Sequence, residues 1–129
     1  MNKLHCYWVY IVTNKGRTVL YTGVTNNVHR RLFEHRTGCS PDSFAYRYQC
    51  WTLVYMKEFQ YIQEAIAYES RLKNWKRSWK EELITGVNPD WCDLSKGWDY
   101  TGWYDPRKPP RGFYTQHRIE AWGGPEDQR

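Results

Sequence analysis

Apolar residues cluster in three short stretches of this chain and recur with a helical period in three others. Residues 6–13, "CYWVYIVT", are β-branched or aromatic almost throughout and predict a buried strand. "NKGR" at 14–17 is turn chemistry, and "TVLYTG" at 18–23 predicts a second strand running back along the first. If Lys15 and Gly16 form a two-residue loop, Asn14 faces Arg17, and Tyr10 falls opposite Tyr21 on one face of the sheet. A longer loop changes that pairing. Gly23 is read as the end of the strand, and Thr25 or Asn26 as the cap of a helix reaching about Thr37. "GCSPDS" at 38–43 reads as a loop and "CWTLVYMKEF" at 50–59 as a third strand. Residues 61–75 and 77–86 carry helical patterns, the second closed by Gly86. Past "NPDW" at 88–91 the chain mixes Gly, Pro and aromatics without a period. The order β-β-α-β-α-α is that of a small α+β domain.

Helical phase then separates charges that face inward from charges that face water, since each residue advances by about 100°. In the first helix Val28 and Leu32 mark the apolar stripe, with Arg31 and His35 beside it and Arg30 on the far side. An inward guanidinium needs an anion or a set of acceptors, unless it snorkels to the edge of the core or pairs with an acid. In the second helix Ile62, Ala65, Ile66 and Leu72 form the stripe, Glu69 sits at its centre, and Glu64 points away. A carboxylate there calls for a metal ion, an arginine or a proton, and a direct Arg31–Glu69 salt bridge is the simplest structural answer.

Charge sharpens the picture. Residues 1–80 carry 13 Lys or Arg against 5 Asp or Glu, whereas residues 81–129 carry 6 against 9. A basic body rich in Tyr and Trp suits nucleic acid, because phosphates attract the charge and bases stack on rings; a merely solvated basic surface has the same composition. Two tyrosines, an arginine, a histidine and a carboxylate on one surface are the parts that phosphodiester hydrolysis requires: a group to orient water, a cation for the phosphoryl oxygens, and a ligand for a divalent metal. The four cysteines, Cys6, Cys39, Cys50 and Cys92, form no C-x-x-C pair, so a structural zinc site has little support. No signal peptide or membrane-length apolar run is present, and a reduced cytoplasmic setting with buried free thiols is the expectation.

"WVY" at 8–10, "YTG" at 21–23, "YTGVTNNVHRRLFEHRTG" as a whole, "EAIAYESRLKNWKRSWKEELI" and "NPDWCDLSKGW" together resemble the GIY-YIG nuclease family, in particular its small single-domain bacterial branch. The likeness spans about residues 6–98, so residues 1–98 are assigned to a GIY-YIG-like domain and 99–129 to an irregular C-terminal extension. The resemblance implies a central three-stranded antiparallel sheet flanked by helices and a nuclease using one divalent ion, Mg²⁺ or Mn²⁺. By position it makes Tyr10 and Tyr21 the family tyrosines, one of them the base or water-orienting group. Arg31 matches the arginine that stabilises the pentacovalent phosphate, and His35 a position near the scissile phosphate. Glu69 matches the metal ligand and Asn88 a late family asparagine. Trp8, Val9 and Thr22 depart from the family tripeptides, and Val24 stands where some members place a lysine.

The leading expectation is therefore a metal-dependent endonuclease acting on nucleic acid, DNA ahead of RNA. The alternatives are a binding module of the same fold with little turnover, and an interaction domain that meets a protein partner or a second copy through residues 99–129. Arg30, Arg36, Lys73, Lys76 and Arg77 are expected on a phosphate-tracking or merely solvated surface, and Trp75 and Trp79 in the packing.

Overall fold

The computed structural model describes residues 6–37 and 44–98; the loop expected at 38–43 and the extension at 99–129 lie outside the described residues. The elements in order are β1 (Tyr7–Thr13), β2 (Leu20–Thr25), α1 (Val28–Thr37), α2 (Phe44–Arg47), β3 (Thr52–Phe59), α3 (Ile62–Asn74) and α4 (Arg77–Val87). The three strands form one antiparallel sheet in the order β2-β1-β3. Only α2, four residues with no sustained period, is absent from the expected order.

β1 is the central strand and is covered on both faces, which is why its apolar run is nearly unbroken. Val9 and Ile11 pack with Ala65 and Leu72 of α3 and Ile84 of α4. Tyr10 and Val12 point the other way, into Val28 and Leu32 of α1 and Ala45 of α2. Each fully buried Val, Ile or Leu in these clusters contributes about 1.5–3 kcal/mol. A bulge between Ile11 and Val12 sets Ile11 opposite Tyr55 and Val12 opposite Leu53.

The β1–β2 pairing corrects the two-residue loop. Tyr10 pairs with Gly23, and Tyr21 lies opposite Val12. The connection is longer because Asn14 organises it: its Oδ1 accepts from the Thr18 and Val19 amides at 2.9 and 3.0 Å, and its carbonyl accepts from Arg17 N–H at 3.0 Å. Arg17 takes a left-handed φ of 58° in that turn. The register moves by two residues, and since side chains alternate with a period of two, Tyr10 and Tyr21 still share a face. Gly23 does not end β2, which continues to Thr25. The cap of α1 is Asn27 rather than Thr25 or Asn26: its Oδ1 accepts from Arg30 N–H at 3.0 Å.

Three expected surface or site residues prove structural. Arg36 is 1% exposed; its Nη2 donates to the Trp51 carbonyl at 2.6 Å and to Ser95 Oγ at 2.9 Å, with Asp93 at 3.6 Å. Asn88 donates from Nδ2 to the Val54 and Cys92 carbonyls and accepts from Cys92 N–H, tying the end of α4 to β3. Arg77 reaches Glu81 at 2.7 Å and the Thr18 and Arg17 carbonyls at 2.7 and 2.6 Å, so its guanidinium clamps α4 to the β1–β2 loop. Of the tryptophans, Trp75 packs on the core, but Trp79 is 48% exposed, with the Lys76 ammonium 5.1 Å from its ring centroid. Among the thiols Cys50 is buried, Cys6 half-buried and Cys92 exposed, and no disulfide joins them. Among the described residues no helix is long and apolar enough to cross a membrane.

Candidate active site

The site is built on the face of the sheet that α1 covers. Tyr10 of β1 lies across Gly23 of β2: a Cβ at position 23 would meet the Tyr10 Oη at 2.5 Å and Cζ at 2.6 Å. The glycine is thus required for space rather than for a turn. The phenol ends against His35 of α1, with Oη 2.8 Å from Nε2. Tyr21, on the same face of β2, stands edge-on to His35 with ring centroids 5.5 Å apart and tilted to Tyr10 at 6.3 Å. Tyr10 and His35 are buried and Tyr21 is half-buried. The structure therefore separates two tyrosines that sequence position left equivalent: Tyr10 lies beneath the surface and Tyr21 at it.

Burial keeps this floor uncharged. It raises the Tyr10 pKa well above the usual phenol range, reinforced by Tyr21, Glu69 and Glu34 and partly offset by Arg31. It lowers the His35 pKa to about 4, helped by the Arg31 and Arg36 guanidiniums. At neutral pH both groups are neutral. His35 stays unprotonated in the folded protein while the unfolded chain takes up a proton below pH 6.5, so its contribution to stability is complete above that pH and is lost as pH falls towards 4. The difference between the native and unfolded values corresponds to about 3 kcal/mol. Urea unfolding of wild type and His35→Gln from pH 7 to 4.5 measures it: the wild type loses more stability on acidification, whereas parallel curves would contradict a neutral buried His35.

Helical phase separates the two α1 arginines only in part: the Arg30 and Arg31 side chains are 47% and 38% exposed. Arg30 is exposed and Arg31 half-buried, and both lean on Glu34, at 3.6 and 3.5 Å. The Arg31 Nε is buried yet makes no hydrogen bond among the described residues. Glu34 was missed because an acid on the outer half of a helix reads as solvated; its spacing of three and four from the two arginines was the available signal. No Arg31–Glu69 bridge forms. Glu69 pairs with Lys73 at 3.0 Å, its side chain 14% exposed. It lies at the edge of the buried stripe of α3 rather than its centre, since Ile66 is 48% exposed and Tyr68 packs on the core instead. α3 packs on the Val9–Ile11 face of the sheet, opposite the one that carries Tyr10, Tyr21 and α1, so the carboxylate does not share their face as the sequence suggests; its charge is nonetheless felt at Tyr10. Lys73 and Lys76 are exposed, while Asn88 and Arg36 are held by the partners described above.

A divalent ion fits this donor chemistry in one form only. Among the described residues no group of three or more His, Cys, Asp or Glu converges to cage a metal. A single carboxylate is what a largely hydrated Mg²⁺ or Mn²⁺ takes when the substrate phosphate completes its shell, and Glu69 would have to leave Lys73 to serve as it.

Residues 6–82 match the GIY-YIG catalytic domain. The chain belongs to that family. Membership implies nuclease-type activity in general, and the three-stranded antiparallel sheet with flanking helices is the GIY-YIG fold. The chain is 36% identical over 78 residues to the UPF0213 protein CPE1444 of Clostridium perfringens (strain 13 / Type A), covering 60% of this chain and 82% of that protein. It is also similar to the UPF0213 protein BH0048 of Bacillus halodurans, solved by solution NMR, at 25% identity and a TM-score of 0.43, covering 71% of this chain and 97% of that one. Within the GIY-YIG match lie Tyr10, Tyr21, Gly23, Arg31, His35 and Glu69, whereas Asn88 falls outside it.

Proposed function

We propose that this GIY-YIG chain is a metal-dependent endonuclease that hydrolyses phosphodiester bonds in DNA. The observation that carries the reading is Arg31, a half-buried, loosely paired guanidinium set beside a floor of neutral aromatic groups. A neutral floor adds no negative charge to repel a phosphate, so the attraction of Arg31 for an anion is weakened chiefly by Glu34. Bound phosphodiester oxygens would take the donors of the guanidinium fork, and the same contacts strengthen as charge grows on those oxygens in the transition state.

Tyr21 is the hydroxyl positioned to meet water. It accepts a hydrogen bond from the attacking molecule and aligns it with phosphorus. Tyr10 and His35 act as positioning residues: their 2.8 Å contact fixes the ring beneath Tyr21 and the turn of α1 that carries Arg31. Glu69 would hold the divalent ion, which when bound supplies positive charge for the phosphate and the leaving oxygen. Displacing Lys73 from Glu69 costs little, since that pair is largely exposed on the lysine side. Lys73, Lys76 and Arg30 would follow the backbone of the strand without reading its sequence.

The test uses fluorescent single-stranded, duplex and branched DNA with wild type and Glu69→Gln, in Mg²⁺, in Mn²⁺ and in EDTA. Products that need metal and fall by about 10²-fold or more in the variant are expected. A wild type that binds these substrates and cuts none of them would instead make the chain a nucleic-acid-binding module.

A further inference from the structure

Phe44 and Tyr48 are 44% and 43% exposed. Scattered exposed apolar side chains are ordinary, but these two touch, with centroids 4.6 Å apart. They also continue the candidate site: Phe44 stacks on Tyr21 at 6.0 Å and an interplanar angle of 23°, and Tyr21 meets His35. At the outer end the Arg47 guanidinium lies 5.9 Å from the Tyr48 ring centroid. An aromatic row thus runs from the buried floor of the site to open surface and ends beside a cation.

The local fold holds this row in place. Ala45 and Cys50 are both buried and anchor α2 to the sheet face, and Cys50 N–H donates to the Ala45 carbonyl at 2.8 Å. Tyr48 N–H donates to the Phe44 carbonyl at 3.1 Å, which puts the two rings one turn apart on the same outward side. Tyr61, Ile66, Trp79, Val87 and Leu94 are exposed too, but they belong to other segments, whereas Phe44 is the exposed ring that stacks on Tyr21 among the described residues.

We propose that Phe44 and Tyr48 form a stacking platform for one unpaired nucleobase next to the phosphate held at Arg31, with Arg47 meeting the adjoining phosphate. The inference rests on the nuclease reading of the site and names the form of strand it takes. A flat aromatic surface beside a cation matches a nucleotide, which carries an aromatic face and an anion. In continuous duplex both faces of each base are already covered by its neighbours, so the platform is usable only by a base that is single-stranded, bulged or turned out of the helix. Stacking of this kind is indifferent to which base is presented, so the platform selects strand structure and not sequence.

The experiment is fluorescence anisotropy of the full chain in EDTA, with a labelled single-stranded 15-mer and a blunt duplex of the same length. Wild type is compared with Tyr48→Ala, the double variant Phe44→Ala/Tyr48→Ala, and Tyr48→Trp. The double variant should lose about tenfold or more in single-strand affinity and less than about twofold on duplex, while Tyr48→Trp retains binding. A 2-aminopurine in the single strand should be quenched by wild type and not by the double variant. Unchanged single-strand affinity, an equal loss on both probes, or no single-strand binding by wild type would overturn the platform. Should the double variant lose its thermal transition, Tyr48→Ala decides the matter alone, since Phe44 is the ring stacked on Tyr21. Because no turnover is read, the platform and the nuclease reading fail separately: a wild type that cuts nothing refutes the latter, and the affinities alone refute the former.

Discussion

Replacing Arg31 by alanine is expected to slow single-turnover cleavage by about 10³-fold while changing substrate affinity by less than about tenfold. Removing one preorganised donor from a developing oxyanion typically costs 10²–10³-fold, and an arginine on a transferring phosphoryl group can be worth more. Arg31 is suited to that role by what it lacks in the free protein. Its Nε is buried without a hydrogen bond among the described residues, and Glu34 stands at 3.5 Å. Arg31→Lys keeps the charge and loses the planar fork, so an intermediate rate is expected. Arg30→Ala is the control, since Arg30 is exposed on the far side of α1. It should weaken binding and flatten its salt dependence with little effect on the bound rate. Equal losses for Arg30→Ala and Arg31→Ala would mean that the inward arginine has no special part in the chemistry.

Arg36→Ala should act on folding instead. The substitution leaves the Asp93 carboxylate, 11% exposed, without its cation and leaves the Trp51 carbonyl and Ser95 without their guanidinium donor. Removing one partner of a buried charged pair typically costs about 3–5 kcal/mol. Asp93 is held on its other oxygen by the Leu53 and Ser95 amides and by Ser95 Oγ, so the network joins α1, the start of β3 and the 93–95 segment. Chemical denaturation measures the loss. A stable Arg36→Ala with impaired DNA binding would restore the surface role that the sequence suggested.

Arg36 also illustrates what local pattern leaves out. It lies one turn beyond Leu32 and so borders the buried stripe, but what encloses it is Ser95, 59 positions along the chain. Tertiary closure of that kind has no periodic signature. Glu69 is a milder case: counting Ile66 as core moved the stripe towards the carboxylate, and the exposure of Ile66 moves it back. Features that depend on parity proved more legible. The β1–β2 loop came out longer than two residues, yet an even shift in register left Tyr10 and Tyr21 on one face. Phase in α1 separated Arg31 from Arg30 only in part: the side chains are 38% and 47% exposed, although the Arg31 Nε is buried. Gly23 was legible as a glycine but not for its purpose, which depends on the ring of Tyr10 on the neighbouring strand. α2, and with it the aromatic row, was hidden because four residues are too few to set a period.

Single-turnover cleavage by wild type and Tyr21→Phe, with enzyme saturating and Mg²⁺ present, tests most directly whether this surface is a hydrolytic site. Tyr21 is half-buried beside the buried Tyr10–His35 pair, and phenylalanine retains its stacking on Phe44 while removing the hydroxyl that would orient water. A hydrolytic role for Tyr21 gives unchanged binding and a rate lower by about 10²-fold, the usual scale for a group that handles the proton or position of a nucleophile. A Tyr21→Phe protein that cleaves at the wild-type rate would contradict it.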